Sequence, residues 1–554
     1  MSKRKSKAQA EDDMWGQAAG GIGVLVMVTG GLAAVKDKLG LSWPATLALC
    51  VGTLIALGYA AWRIKNSVKR RWASEPAAKP STAGKETSAA VEQASPSEGL
   101  EEEQESVPAH PELTRALVRT GAIEKDQIIA LSDVETRHLD VGTQYKFLLP
   151  RSKTHERVAD RLGPIASMLD VTRLHLKLET SRTNERHVTL LVLKEPPFSH
   201  LFDQPSREDI RAFNGIPFGH DVTGELAGVP TLEGTAVLIS GMSQTGKTTL
   251  ACGIITCLLI AYGDEFDMVL LDGKFLGLAD FAKIALRYES SSDPEVLEEL
   301  LDFLIPIVDK RYEAGREAKF KRQPPPKFRP LLFIIDEAAD FYANTGSPEA
   351  KKLFHRVEEK SRYVTSKGLE CGVAVIMMTQ RPDKDAIPTL VRSQLQLRIC
   401  LYVDSEGTAK VSLGDSYFTT TSPIKPQLLN PQIKGQAVLF SHGKSTLIRG
   451  FNFPSSFVWK VIDEAHARQQ NRIVAAPETP LTKAIKIMQD KGLDFIPTVD
   501  LAPLLDVEVD EEKPSVAGQK LSKMLGVRSA KRDGNTGPRG YRLADLTAAL
   551  GARP

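Results

Sequence analysis

No Cys-x-x-Cys pair occurs in the 554 residues, and the five cysteines (Cys50, Cys252, Cys257, Cys371 and Cys400) are odd in number and scattered. That excludes a disulfide framework and the common zinc modules, and it fits a reducing compartment. Neither sign of charge dominates: 71 basic against 69 acidic residues leave a formal +2. The balance is an average over segments that differ sharply. Residues 73–111 have few large apolar side chains and consist mainly of Pro, Ala, Ser and Glu. Such a stretch cannot bury a core and reads as a disordered tether. Its acidic run, Glu101 to Glu103 with Glu105, reads as solvated linker rather than a partner-binding tail.

Charge is missing altogether from residues 15–35 and 42–62. Each stretch is about 20 residues long, which a helix needs to cross ~30 Å of hydrocarbon. A signal peptide would fit the basic start (Lys3, Arg4, Lys5, Lys7), but Glu11, Asp12 and Asp13 intervene and a second apolar stretch follows at once. Apolarity on every face argues against two buried soluble helices. Residues 1–72 are therefore expected to be a membrane anchor of two transmembrane helices. Arg63, Lys65, Lys69, Arg70 and Arg71 follow the second stretch, and only Lys36 and Lys38 lie between the two. The positive-inside rule then puts both termini and the bulk of the chain in the cytoplasm, as a multi-pass protein of the cell membrane. Gly16 and Gly20 form a GxxxG spacing, and Trp15, Trp43 and Trp62 stand where interfacial anchors belong.

A chain this long holds several folded units. Residues 112–204 read as a small helical and α+β module, with a helical patch over 113–131 and a strand at 145–149. An amphipathic helix over 154–169 and strands at 174–178 and 187–193 complete it. From about 205 to 470, short apolar runs alternate with helical stretches: 237–240, 268–271, 331–335, 373–378 and 398–402. Runs apolar on both faces are buried parallel strands. The fold class is α/β, with a doubly wound, mainly parallel sheet.

Gly241, Met242, Ser243, Gln244, Thr245, Gly246, Lys247 and Thr248 complete the pattern G-x-x-x-x-G-K-S/T, after one such strand and before an apolar helix. This is the context a phosphate-binding loop requires. Glycines let successive N–H groups turn inward, and the helix N-terminus adds a favourable dipole. These eight residues and Thr249 form the expected nucleotide site. Lys247 is expected on the β- and γ-phosphates of ATP and Thr248 on Mg2+. Ser441 to Ser445 also contain Gly-Lys-Ser, but Val438 replaces the first glycine, and this stretch reads as a hairpin turn.

The run 331–335 ends in Asp336 and Glu337. A buried strand delivers such carboxylates to its C-terminal tip, where ligands sit in open α/β sheets. Asp336 is expected in the Mg2+ shell, and Glu337 as the group that polarises an attacking water. The next strand ends in Thr379, Gln380, Arg381 and Pro382. An amide there can sense the γ-phosphate, so Gln380 is the sensor candidate.

At the C-terminal end, a linker over 471–480 precedes a unit at 481–554. Helices are expected over 481–491, 498–505 (capped by Thr498) and 514–525 (ended by Gly526). A hairpin of strands 527–531 and 539–543 follows. Three helices and a wing make a winged helix-turn-helix. From Lys513 onward nine basic residues face only Asp533 and Asp545, a phosphate-facing charge pattern rather than that of a protein-binding variant. The expected DNA contacts are Gln519, Lys520, Lys523, Arg528, Lys531, Arg532, Arg539 and Arg542.

Over about 210–455 the chain resembles the FtsK/SpoIIIE family of double-stranded DNA translocases. The residues that carry this are Gly219, Asp221 and Gly224 in a G-x-D-x-x-G stretch, the phosphate loop, and Asp272 and Lys274 in Asp-x-Lys. Arg311-Tyr312, the acid pair, Thr379 to Pro382, Gly435-Gln436-Ala437 and Arg449-Gly450 complete the set. The short run 387–395 is similar to that of actinobacterial conjugative plasmid-transfer members. The resemblance implies a RecA-like motor, acting as a homo-oligomeric ring, a hexamer, with double-stranded DNA in its channel. It also implies an arginine reaching the nucleotide site of a neighbouring subunit. Arg398 stands where the family's Thr-Arg falls and Arg392 is close by; the sequence leaves both open. The implied function is membrane-anchored, ATP-driven movement of plasmid DNA between cells. The alternatives are chromosome segregation at a septum and a protein-secretion ATPase, while a tether without enzymatic activity has no use for the acid pair.

Overall fold

A computed structural model describes residues 108–554, apart from 182, 344–345, 381, 384–385, 510–513, 534–535 and 552–554. The two expected membrane spans and nearly all of the expected tether lie outside the described residues. Among the described residues no helix is long and apolar enough to cross a membrane.

The first unit is an antiparallel sheet of β1 (Val134–Leu139), β2 (Gly142–Leu148), β3 (Leu176–Thr180) and β4 (His187–Leu193), ordered β1-β2-β4-β3. Leu113, Leu117, Phe147, Leu149, Leu162, Ile165 and Leu190 make its core. Two helical expectations need correction. The patch over 113–131 is helical only over Pro111–Arg119, because Gly121 takes φ +73° and the chain turns away there. The helix over 154–169 is two short helices, His155–Asp160 and Leu162–Met168, broken at Arg161. Pro164 has no N–H to return to the Asp160 carbonyl, so the ladder cannot run through.

The central sheet has ten strands: β5 (Ile216–Asp221), β6 (Leu226–Val229), β7 (Ala236–Ser240), β8 (Asp267–Asp272), β9 (Arg287–Glu289), β10 (Leu331–Asp336), β11 (Val373–Thr379), β12 (Leu397–Leu401), β13 (Gln436–Ser441) and β14 (Lys444–Gly450). Their order is β6-β5-β14-β13-β12-β7-β11-β10-β8-β9. The strands from β12 to β9 run parallel. From β12 outward through β13, β14, β5 and β6 every pairing is antiparallel. The five runs expected as buried strands are β7, β8, β10, β11 and β12.

Side chains alternate across the sheet and make two cores. Val237, Ile239, Leu270, Ile334, Ile376 and Ile399 face the helices Lys247–Tyr262 and Ser455–Ala475. Leu238, Val269, Leu271, Phe333, Ile335 and Val375 face the helices Pro294–Phe320 and Pro348–Lys367. Period-two burial with helices on both faces is the doubly wound arrangement. The second helix pair is also tied electrostatically. Glu298 accepts from Arg356 Nε and Nη2 at 2.7 and 2.8 Å and from Lys360 Nζ at 2.8 Å. These donors hold the Glu298 carboxyl down at about 2.

The hairpin turn expected at Ser441 to Ser445 joins β13 to β14. His442 and Gly443, at φ +49° and +75°, form the two-residue loop between the paired Ser441 and Lys444. At the C-terminal end the helices Pro480–Asp490, Thr498–Leu504 and Pro514–Leu525 pack around Leu481, Ile485, Leu501, Leu521 and Tyr541. A small antiparallel sheet of β15 (Phe495–Pro497), β16 (Ala530–Asp533) and β17 (Thr536–Arg542) is ordered β15-β17-β16. Thr498 is not a cap: Pro497 holds that position, and Thr498 Oγ1 is buried without a hydrogen-bond partner. Gly526 does end its helix, at φ +75°.

Candidate active site

The loop between β7 and the helix Lys247–Tyr262 is shaped by glycine at two points. Gly241 and Gly246 take φ +150° and +102°. A Cβ on Gly241 would lie 2.8 Å from Leu401 Cβ, and one on Gly246 2.8 Å from the Gly435 nitrogen. Only glycine fits both demands. Main-chain contacts brace the loop: Met242 N–H donates to Tyr402 O at 2.9 Å and Gly435 N–H to Thr245 O at 2.8 Å. Lys247 is buried and donates to the Gly241 and Met242 carbonyls at 2.8 and 2.6 Å. Burial first, then the nearby Lys274 ammonium, pushes its own down to about 8. Met242, Ser243, Gln244 and Thr249 are exposed, Thr245 is buried, and Gly246 and Thr248 are half-buried.

The acids arrive from β10. Asp336 is fully buried, and burial pushes its carboxyl up against the opposing pull of Lys274. Lys274 Nζ lies 3.2 Å from Asp336 Oδ1, while Oδ2 is buried with no hydrogen-bond partner. That oxygen faces Gly277: a Cβ there would stand 2.7 Å from Asp336 Oδ2 and 2.9 Å from Thr248 Cγ2. A bare carboxylate oxygen, a threonine and a side-chain-free gap between them suit Mg2+, a hard cation that uses one or two protein oxygens beside phosphate. Glu337 sits at φ +57°, a left-handed conformation that is strained for a non-glycine residue. Its carboxylate accepts from Thr379 Oγ1 at 3.1 Å and from the Gln380 N–H at 3.0 and 3.1 Å.

Strand β11 lies between β7 and β10, so its tip stands between the loop and the acids. Gln380 uses this position twice. Its main-chain N–H is on Glu337, and its side-chain Oε1 accepts from Ser243 Oγ of the phosphate loop. Lys247, Thr248, Asp336, Glu337 and Gln380, expected together from separate strands, are brought together.

Arg398 is not among them. Its guanidinium donates to the carbonyls of Leu395, Arg392 and Ser412 at 2.8, 2.9 and 3.0 Å, all in its own chain. Burial and the neighbouring Arg392 bring it down to about 10. Arg398 is a brace between β12 and the helix that follows. Arg392, half-buried, reaches Asp383 O and Thr389 Oγ1 at 3.4 Å each. Other residues of the resemblance are braces too. Buried Arg311 donates to Cys371 O and Arg329 O, and Gln436 to Pro197 O.

Lys274 is the residue the sequence did not single out as part of the site. It appears there only within Asp-x-Lys, whereas the structure puts it on both acids. The available signal was a lysine just past the tip of a buried strand that pairs with the acid strand.

The C-terminal candidates lie apart from this site. Gln519, Lys520 and Lys523 are exposed on the helix Pro514–Leu525, and Arg528, Arg532 and Arg539 are exposed beyond it. Lys531 and Arg542 are half-buried, and Arg542 donates to Arg532 O at 2.8 Å.

A phosphate loop, an acid pair and a polar strand tip between them, all on one largely parallel sheet, define a P-loop ATPase domain. Residues 199–413 match the model of the FtsK/SpoIIIE family, so this part of the chain is similar to that family's motor domain. The chain is 23% identical over 301 residues to the DNA translocase FtsK of Staphylococcus aureus strain Mu50, covering 50% of this chain and 36% of that protein. To the FtsK of Streptococcus pneumoniae strain R6 it is 27% identical over 237 residues, covering 40% and 30%. The matched region thus spans about a third of those relatives. Among solved structures, the pCW3 conjugation coupling protein TcpA with ATPγS is similar at a TM-score of 0.41 and 15% identity, covering 64% of this chain and 98% of that one.

Proposed function

We propose that this chain is an ATP-driven double-stranded DNA translocase, anchored in the cell membrane and moving plasmid DNA between cells. The observation that carries the reading is the convergence of loop and acids on Gln380, which touches Glu337 with its main chain and Ser243 with its side chain. In this reading the loop from Gly241 to Thr249 takes the triphosphate of ATP, and Lys247 turns from its carbonyls to the β- and γ-phosphates. Thr248 and Asp336 would hold Mg2+, which would neutralise phosphate charge. Glu337 orients a water and accepts its proton, and Gln380 relays the state of the γ-phosphate to it. Either Arg392 or Arg398 would act in a neighbour's site, and each would first have to leave acceptors of its own chain. A ring of copies, six by family resemblance, would enclose DNA.

The C-terminal unit acts as a winged helix that selects DNA. Lys531 stands directly across the hairpin from Arg539, within the basic run that motivates this reading. The membrane anchor rests on the uncharged stretches 15–35 and 42–62. The test is the ATPase rate of the full chain with and without duplex DNA, with Glu337→Gln as control. Duplex should stimulate the wild type several-fold or more, and the variant should bind ATP and stall. No response to any DNA would overturn this reading in favour of a motor for another polymer.

A further inference from the structure

We propose that Lys274 is a resident counter-cation of the acid pair: it holds Asp336 and Glu337 together and keeps a divalent metal off them until nucleotide arrives. The proposal rests on the reading of Asp336 and Thr248 as the metal-holding groups. Its starting point is register. Strands β8 and β10 are parallel neighbours with Asp272 opposite Asp336, so the chain leaving β8 passes beside the acids. The turn that follows is pinned there. Asp272 accepts from the Leu278 and Lys274 N–H groups at 2.9 and 3.2 Å. The Gly273 N–H meets the Asp336 carbonyl at 3.3 Å, so closely that a Cβ on Gly273 would stand 2.6 Å from it. Lys274 is thereby directed back over β10, where its Nζ lies 3.2 Å from Asp336 Oδ1 and 3.4 Å from Glu337 Oε2.

Charge then decides what it does. Lys247 points at carbonyls, so among the described residues Lys274 is the cation at ion-pair distance from these acids. Its ammonium occupies one oxygen of Asp336 and leaves the other, Oδ2, bare toward Gly277 and Thr248. A divalent ion on Oδ2 would share that carboxylate with a lysine a few ångströms away. The two cations repel, and by linkage each weakens the other's hold on the acids. A triphosphate brings several negative charges and shifts the balance, so metal and nucleotide enter together. The same bridge holds Glu337 against Thr379 and Gln380 while the site lacks nucleotide.

The test is Mn2+ binding to the nucleotide-free full chain, read by electron paramagnetic resonance, which does not depend on turnover. Lys274→Met should tighten Mn2+ binding at least about tenfold, a floor set well below the full Coulomb repulsion between a unit charge and a nearby divalent ion at an effective dielectric near 20. Lys274→Arg should stay near the wild type, and Asp336→Asn should lose the binding. Unchanged affinity in Lys274→Met, with Asp336→Asn still defective, overturns this proposal and leaves the metal site standing. Full Mn2+ binding by Asp336→Asn overturns the metal-site reading instead. If Lys274→Met does not melt cooperatively, Lys274→Gln gives the same comparison with a polar chain in place of the apolar one.

Discussion

Gly277→Ala puts a single methyl group into the gap on which the proposed metal site depends. The added Cβ would stand 2.7 Å from Asp336 Oδ2, 2.9 Å from Thr248 Cγ2 and 3.6 Å from Asp272 Oδ1. The first two distances are well inside ordinary contact, and Asp336, fully buried at the end of β10, has little room to retreat. Gly277 is not among the glycines at positive φ, so alanine brings crowding without backbone strain. Overpacking of this kind costs roughly 1–3 kcal/mol. If that cost falls on the metal-bound state, at 1.36 kcal/mol per tenfold it corresponds to roughly 5- to 150-fold. The assay is ATPase rate against Mg2+ concentration at saturating ATP, alongside a thermal melt. The half-saturating Mg2+ concentration should rise by that factor, with a modest change in melting temperature. A variant with wild-type Mg2+ dependence would refute the placement of the cation between Asp336 and Thr248.

Glu337→Gln should lower ATP turnover about 100-fold or more while ATP binding persists, measured by steady-state kinetics and equilibrium binding. Arg398→Lys cannot satisfy the carbonyls that the guanidinium fork serves, so it should lose about 2–4 kcal/mol of stability in denaturant titration; Arg392→Ala should lower ATPase. Glu298 has a folded-state pKa of about 2 against an ordinary 4.5. Its contribution is therefore present above pH 4.5 and lost as pH falls from there toward 2. Glu298→Gln should lower the melting temperature at pH 7, with the difference closing in that acid window. In gel shifts, C-terminal DNA affinity should fall steeply with salt, and Lys520→Ala with Lys523→Ala should flatten the slope by about one unit per lost phosphate contact.

The central strands were legible because β7, β8, β10, β11 and β12 are apolar on both faces, a pattern no surface element shares. The phosphate loop and acid pair were legible because their chemistry demands fixed spacing next to such strands. What could not be read depends on contacts distant in sequence. Strand β1, Val-Glu-Thr-Arg-His-Leu, is exposed over most of its length and forms through its pairing with β2. The last helix, Leu543–Gly551, also went unanticipated, since β17 runs into it without a turn signal. The Lys274 role comes from the β8–β10 register, and the Arg398 brace from carbonyls at Leu395, Arg392 and Ser412 that only the folded chain gathers. Arginine at a strand start looks the same in sequence whether it reaches outward or inward.

The phosphate loop is fastened to the antiparallel side of the sheet by bare backbone. Gly435 N–H holds Thr245 O at 2.8 Å, Gly450 N–H holds Gly435 O at 2.9 Å, and Gly246 leaves no space for a side chain between the two segments. No flexible group cushions that joint. If the loop takes phosphate as proposed, a displacement of the β13–β14 ribbon would reach its amides through these bonds, and a phosphate seated there would stiffen the ribbon in return. The loop and the antiparallel ribbon are thus joined by a short linkage made of glycines rather than of any chemically reactive residue.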